Sequence, residues 1–225
     1  MRRSLFSKWC DQAWLYVVYL IAVIMAGCLL WTWDAWEISQ KLACALAIIV
    51  PCHIFEENTL PAGFYYMNNI GFGSKEPMVY PQNRCTNMVT NLGAEIVIVL
   101  LTFFGIRTIE ASTVTLVFLF GLGETINHTR SGIKMYSRYR GAGKKTIYGP
   151  GLITSWCLMI PLSVAGLKWL VEYVPTILQV IGGIGIFLGI AVFLILLPFA
   201  FSIRVKSREY AFDDKGYFEK YEKTV

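Results

Sequence analysis

The chain has 225 residues, 56% of them hydrophobic and 16% charged, with a mean hydropathy of +0.53 and a formal net charge of +5. A soluble domain carries about 25% charged residues, and the apolar runs here reach the roughly 17–25 residues that cross a bilayer, so an ordinary soluble domain is excluded. The surplus of positive charge falls where membrane topology places it and does not point to nucleic acid.

In chain order, a first span is predicted from Ala13 to Trp31, after a basic segment with Arg2, Arg3 and Lys8. It is too long for the apolar core of a signal peptide and lacks a small-x-small exit, so it is expected to remain as a span. Trp14 and Tyr16 at one end, with Trp31, Trp33 and Trp36 at the other, suit the two membrane interfaces. A second span covers Trp36 to Asn58, with Pro51 predicting a kink just before His53. The Gly-, Pro-, Asn- and aromatic-rich stretch from Thr59 to Thr86 reads as a linker.

Further spans are predicted over Asn87–Ile106 and Ser112–His128, followed by a basic loop carrying Arg130, Lys134, Arg138, Arg140, Lys144 and Lys145. A fifth span starts at Tyr148-Gly149-Pro150-Gly151, with Pro150 at a first-turn position, and runs to Val171. The sixth covers Pro175 to Ile203, where Gly182, Gly183, Gly185 and Gly189 predict close backbone packing. The tail from Arg204 has no long apolar stretch. The six cysteines (Cys10, Cys28, Cys44, Cys52, Cys85 and Cys157) form no C-x-x-C pair and read as small apolar residues.

The expected fold is therefore all-α: a polytopic membrane helical bundle of about six spans in one domain, with a cytoplasmic N-terminal segment 1–12, a bundle 13–203 and a tail 204–225. With both termini cytoplasmic, 17 of the 20 Lys and Arg residues lie inside; only Lys41, Arg107 and Lys168 lie outside. The chain is expected in the cell membrane of a bacterium, with the basic loop facing anionic lipid headgroups.

Polar residues converge at one predicted depth. His53 and Glu57 are i, i+4 on the second span, with Glu56 at i+3. Asn91 and Glu95 are i, i+4 on the third. Glu124 and His128 are i, i+4 on the fourth, with Asn127 beside them, and Tyr148 and Thr154 begin the fifth. Ionisable groups inside a membrane are costly and mark function by default. Imidazole with carboxylate suits Zn, Fe or Mn. The expected ligands are His53, Glu57, Glu95, Glu124 and His128, with Glu56 or Glu57 as general base and Asn91, Asn127, Tyr148 and Thr154 in support. That set predicts metal-assisted hydrolysis of a lipid or amphipathic substrate. Metal-free acid/base isomerisation, proton- or cation-coupled transport and a non-catalytic binding or immunity role stay open. Singly, His53–Glu57 also reads as a helix-end ion pair, Glu95–Asn91 as a packing contact and His128 as a C-terminal cap.

The run His53-Ile54-Phe55-Glu56-Glu57, followed by Leu60-Pro61-Ala62-Gly63-Phe64, resembles the membrane-protein family named for its HXXEE motif. Asn127-His128 and Pro150-Gly151 are similar to two further features of that family, so the resemblance spans roughly residues 36–200. It implies that His53, Glu56 and Glu57 are defining residues, and it carries no established activity. Ala62 stands where the resemblance leads one to expect Gly. A weaker likeness, in the His53/Glu57 spacing alone, is to sterol-isomerase-like membrane bundles.

The topology has a direct check. In a cysteine-free background, Lys145→Cys reacts with a membrane-impermeant maleimide only in inverted vesicles, and Lys168→Cys only in intact cells.

Overall fold

The computed structural model describes residues 4–222. Among them the chain forms eight helices and no strand. Five are long and apolar enough to cross a membrane: α1 (Leu5–Trp31), α2 (Ile38–Asn58), α4 (Arg84–Thr108), α6 (Leu152–Tyr173) and α7 (Ile177–Val205). The longest, α5 (Glu110–Tyr139), has 30 residues and is too polar overall to join that class. The short helices are α3 (Phe64–Gly71) and α8 (Glu219–Glu222).

Helix α5 is the central post. It packs along α6 and α7 and touches α2, while α2 also packs on α1 and α4. Its first half is buried continuously from Ala111 to Val117. Close approach to α7 depends on small residues there, as expected: a Cβ on Gly183 would lie 2.4 Å from Thr115, and one on Gly182 would lie 2.7 Å from the Ser112 hydroxyl. Gly185 and Gly189 have open space instead. Helix α2 passes through Pro51 without a break. All six cysteines are free; Cys10 and Cys44 are buried, whereas Cys52 and Cys157 are exposed on the outside of the bundle.

Four boundaries differ from expectation. Helix α1 begins at Leu5, eight residues early, because Ser4 caps it by accepting from the Ser7 amide at 3.1 Å. Helix α4 begins at Arg84 because Asn83 and Thr86 form a reciprocal capping box. Helix α5 does not stop at His128 but continues through the basic segment to Tyr139. Its buried Ser131, Gly132, Met135 and Tyr139 keep a helical period among the charges. Helix α6 begins at Leu152, so Pro150 lies just outside it rather than in its first turn.

The 59–86 stretch is not an open linker. It folds as α3 and a turn-rich return that seat on the end of α5 and are covered by the C-terminal tail. Ala62 and Gly63 both take left-handed backbone (φ 62° and 101°), which is why Gly suits position 62. The turn packs on Gly216, and the Tyr217 amide donates to the Ala62 carbonyl at 3.1 Å. Tyr65 stacks on Phe212 with ring centroids 3.5 Å apart, and its hydroxyl donates to Asp214 Oδ1 at 2.8 Å. Phe218 is fully buried among Tyr66, Tyr139 and Tyr217. Arg84 Nε donates to the Ala211 carbonyl at 2.9 Å. The tail thus forms a second, aromatic core at one end of the bundle.

Glu222 closes this aromatic core. Its carboxylate accepts from the Tyr139 hydroxyl, from the Tyr66 hydroxyl at 2.8 Å and from Lys215 Nζ at 3.0 Å. The Tyr139 hydrogen bond, then those from Tyr66 and Lys215, hold its pKa down to about 2. A depressed carboxylate contributes stability above its unfolded value of about 4.5 and loses it as pH falls toward 2. Tail docking is expected to loosen across that window. Limited proteolysis would cut the tail faster on acidification, and Glu222→Gln would bring the faster cleavage to neutral pH.

Candidate His/Glu site

The motif residues lie on the last turn and a half of α2, all on its buried side: His53, Glu56 and Glu57 are 4%, 7% and 3% exposed. They face the second half of α5, which contributes Glu124 and a fully buried His128, and the first turn of α6, which contributes Thr154. Each position follows from helical spacing. His53/Glu57 and Glu124/His128 are i, i+4 pairs, so each helix presents an imidazole and a carboxylate from one face.

The two imidazoles meet edge to face with centroids 4.6 Å apart. Glu57 Oε1 lies 3.1 Å from His128 Nε2 and 3.4 Å from His53 Nε2. Glu124 Oε2 lies 3.5 Å from His128 Nε2 and 3.9 Å from His53 Nε2. Both Nε2 atoms are buried, and neither is aligned for a hydrogen bond.

The outer nitrogens explain why. His128 Nδ1 lies 2.9 Å from the Pro150 carbonyl, which can only accept. His128 Nδ1 therefore carries a proton. In the neutral ring, Nε2 then presents a lone pair to the cluster. His53 Nδ1 lies 2.8 Å from Thr154 Oγ1, whose hydroxyl donates to Glu56 Oε2 at 2.6 Å. The Thr154 proton is committed to the carboxylate, so its oxygen accepts from His53 Nδ1–H, which leaves Nε2 as the nitrogen that faces the cluster.

Glu56 therefore sits one layer behind the imidazoles. Its oxygens accept from the Tyr148 hydroxyl at 3.2 Å, the Ile153 amide at 3.2 Å, the Thr154 amide at 2.8 Å and the Thr154 hydroxyl. Two of these are otherwise orphaned amides at the start of α6, so Glu56 caps that helix from another helix. The expectation that Glu56 is a free general base does not fit, because all its acceptor positions are engaged. Gly151 has φ 88°, and a Cβ there would fall 2.1 Å from the His128 ring. That backbone must be glycine for the ring to lie flat against it. Phe64 covers the other side of the ring at 4.5 Å.

Glu95 is not in this cluster. Because α4 starts at Arg84, Glu95 lies about 18 Å along the helix from its cap, at 1.5 Å per residue, deeper than the site. Its carboxyl is fully buried, and neither oxygen has a hydrogen-bond partner among the described residues. Asn91, one turn nearer the cap, does line the site cavity and is tied to Asn87 at 2.9 Å. Asn127 lines the cavity from an exposed position.

Four further features escape the sequence reading. A relay of amides links Asn58, Asn87, Gln82 and Asn68 through contacts of 2.6, 2.7 and 2.7 Å and holds α3 beside the site. The density of Asn and Gln between 68 and 91 is its signal in the sequence. The Pro150 carbonyl and the cover provided by Phe64 have no such signal. Finally, a cavity of about 150 Å³ joins the His/Glu cluster to an apolar wall of Val50, Ala94, Phe120, Ile190 and Phe199.

The residues fit a divalent metal. Donors roughly 2.0–2.1 Å from a tetrahedral ion lie about 3.4 Å from one another, and the four nitrogen–oxygen separations bracket that value. His53, Glu124 and His128 each bring a donor atom within 4.8 Å of the other two. The Thr154–Glu56 and Pro150 contacts are hydrogen bonds of the kind that orient imidazoles at metal sites.

Fold and site together define a helical membrane protein with a His/Glu centre buried near one end of its bundle. A family model described as a protein of unknown function with HXXEE motif matches residues 44–165, just over half the chain. The chain belongs to that family. No curated protein and no solved structure matches it.

The two acidic roles separate by mutation. Glu56→Gln is expected to cost about 2–3 kcal/mol of stability, because it unpairs buried donors. Glu124→Gln, whose side chain is 25% exposed and caps nothing, is expected to cost less than about 1 kcal/mol. Thermal unfolding in mild detergent reads both.

Proposed function

We propose that this protein is a membrane-embedded, metal-dependent hydrolase acting on a lipid or other amphipathic substrate. One observation carries the reading: two buried imidazoles, each hydrogen-bonded through Nδ1 on its outer side with Nε2 turned inward, converge with two carboxylates at the polar end of an otherwise apolar cavity. His53, His128 and Glu124 would hold the ion, with Zn, Fe or Mn suited to this donor set. When bound, such an ion acidifies water and polarises a carbonyl or phosphoryl oxygen.

The chain's own residues supply the rest. Glu57 is 3% exposed and is anchored to no backbone donor, so it is the carboxylate free to take and return a proton. Thr154 and the Pro150 carbonyl keep the outer ring protons in place. Val50, Ala94, Phe120 and Ile190 exclude bulk water and accept hydrocarbon. The amide relay from Asn58 to Asn68 keeps α3 closed over the polar end.

Elemental analysis of protein purified in mild detergent tests the reading. About one equivalent of metal is expected in wild type, with loss in His53→Ala and His128→Ala. Thr154→Val is expected to weaken metal affinity about 10–100-fold by releasing the His53 ring. Glu57→Gln should keep the metal and lose activity. Metal-free wild type with chelator-insensitive activity would reject this reading in favour of acid/base chemistry by the same His/Glu pairs.

A further inference from the structure

Resting on the hydrolase reading, the next question is the substrate class, and the cavity beside the site bears on it. A second recess of about 310 Å³ shares Asn68, Phe72 and Asn127 with the site cavity and is completed by Arg130 and Lys134. The two spaces are therefore adjacent, with Phe72 at their boundary packed edge-on against Phe199 at 5.6 Å. One space ends in carboxylates and imidazoles with an apolar wall. The other ends in two cations.

Neither cation forms an ion pair among the described residues. Asn127, Arg130 and Lys134 follow one another at helical spacing on a single face of α5. Arg130 is exposed and makes no ion pair among the described residues. Lys134 Nζ donates to the Ile70 and Gly71 carbonyls at 3.1 Å each, which fixes it over the end of α3. Among the described residues no carboxylate pairs with it, and a third N–H remains. A planar guanidinium fork beside an immobilised ammonium is the donor arrangement that recognises a phosphate group.

We infer that the substrate is an amphiphile with a phosphate-bearing headgroup, the headgroup held by Arg130 and Lys134 and the hydrocarbon lying against Phe120, Ile190 and Phe199. A molecule placed this way passes its headgroup–chain junction beside Glu57, Glu124 and the two imidazoles. The assignment also gives Arg130 a role as the specificity-determining residue, outside the cluster that would hold the metal.

Full-length protein in a neutral detergent is titrated with decyl phosphate carrying a terminal pyrene, and separately with the matching pyrenyl alcohol, by fluorescence anisotropy. The phosphate is expected to bind at least about tenfold more tightly than the alcohol. Arg130→Gln, at an exposed position, should reduce that ratio to less than about threefold and leave the alcohol's affinity unchanged. Lys168→Gln, an exposed cation on α6, should leave the ratio intact. Inorganic phosphate at millimolar concentration should not displace the probe. Equal affinity for the two probes, or an unchanged ratio in Arg130→Gln, overturns the proposal. Full displacement by inorganic phosphate also overturns it, making the recess a free-anion site. Metal content is measured on the same samples. A phosphate preference in protein that is metal-free and active in the presence of chelator upholds the headgroup assignment while removing the metal-dependent reading; metal without preference removes the headgroup assignment alone.

Discussion

The contact on which the site depends is the carboxylate of Glu56 at the start of α6. It ties the end of α2 to two backbone amides, a tyrosine hydroxyl and the Thr154 hydroxyl, and through Thr154 it sets the orientation of the His53 ring. In a low-dielectric interior an unpaired polar group costs several kcal/mol, so each donor that Glu56 takes up is one that the bundle need not leave orphaned. The same carboxylate therefore stabilises a helix start and turns His53 Nε2 toward the cluster. His128 is held by a parallel device built from backbone alone: the Pro150 carbonyl behind it and Gly151 beneath its ring. Both imidazoles are placed by hydrogen bonds on the side away from the cluster, and the side facing it is left for chemistry.

Around that centre the bundle divides into an apolar end and a polar end. The apolar end is conventional membrane packing, with small residues of α7 against hydroxyl-bearing residues of α5. The polar end is closed by α3 and the tail, whose aromatic core depends on Glu222 receiving two tyrosine hydroxyls and a lysine. Lys144 is buried in the same region, with Tyr217, Phe218 and Tyr221 around its ammonium and the Tyr148 carbonyl as acceptor. Burial, then repulsion from Lys220, pushes its pKa down to about 8. Tyr148 contacts both this lysine and Glu56, and its ring meets Tyr217 edge-on at 5.1 Å. The tail is thereby joined to the site through one side chain.

The cavity combines these two ends. Its apolar wall comes from α2, α4, α5 and α7, and its polar end from the His/Glu cluster, with the basic recess adjoining. Hydrocarbon gains free energy against such a wall at about 25 cal/mol per Å² buried, whereas an anionic group is stabilised only near uncompensated cations. The amphiphile proposed above would meet both surfaces at once.

The sequence by itself determined the all-helical membrane class, because long apolar runs allow no other way of pairing the backbone in lipid. It also determined which ionisable residues meet: the i, i+4 spacings of His53/Glu57 and Glu124/His128 are local, and helical geometry puts each pair on one face whatever the bundle does. What it did not contain was the depth and the division of labour. Glu95 has the same spacing from Asn91, yet a capping box at Asn83 starts its helix earlier and carries it below the site. Glu56 and Glu57 are adjacent in the chain, and only the position of α6 makes one a cap and leaves the other facing two imidazoles. The linker and tail each lack the apolar run that would give a core alone; packed together they bury Tyr66, Tyr139 and Phe218. Such assignments turn on which groups desolvate which others across distant segments, and that is decided by tertiary packing, since one helix turned by a single residue would exchange its partners.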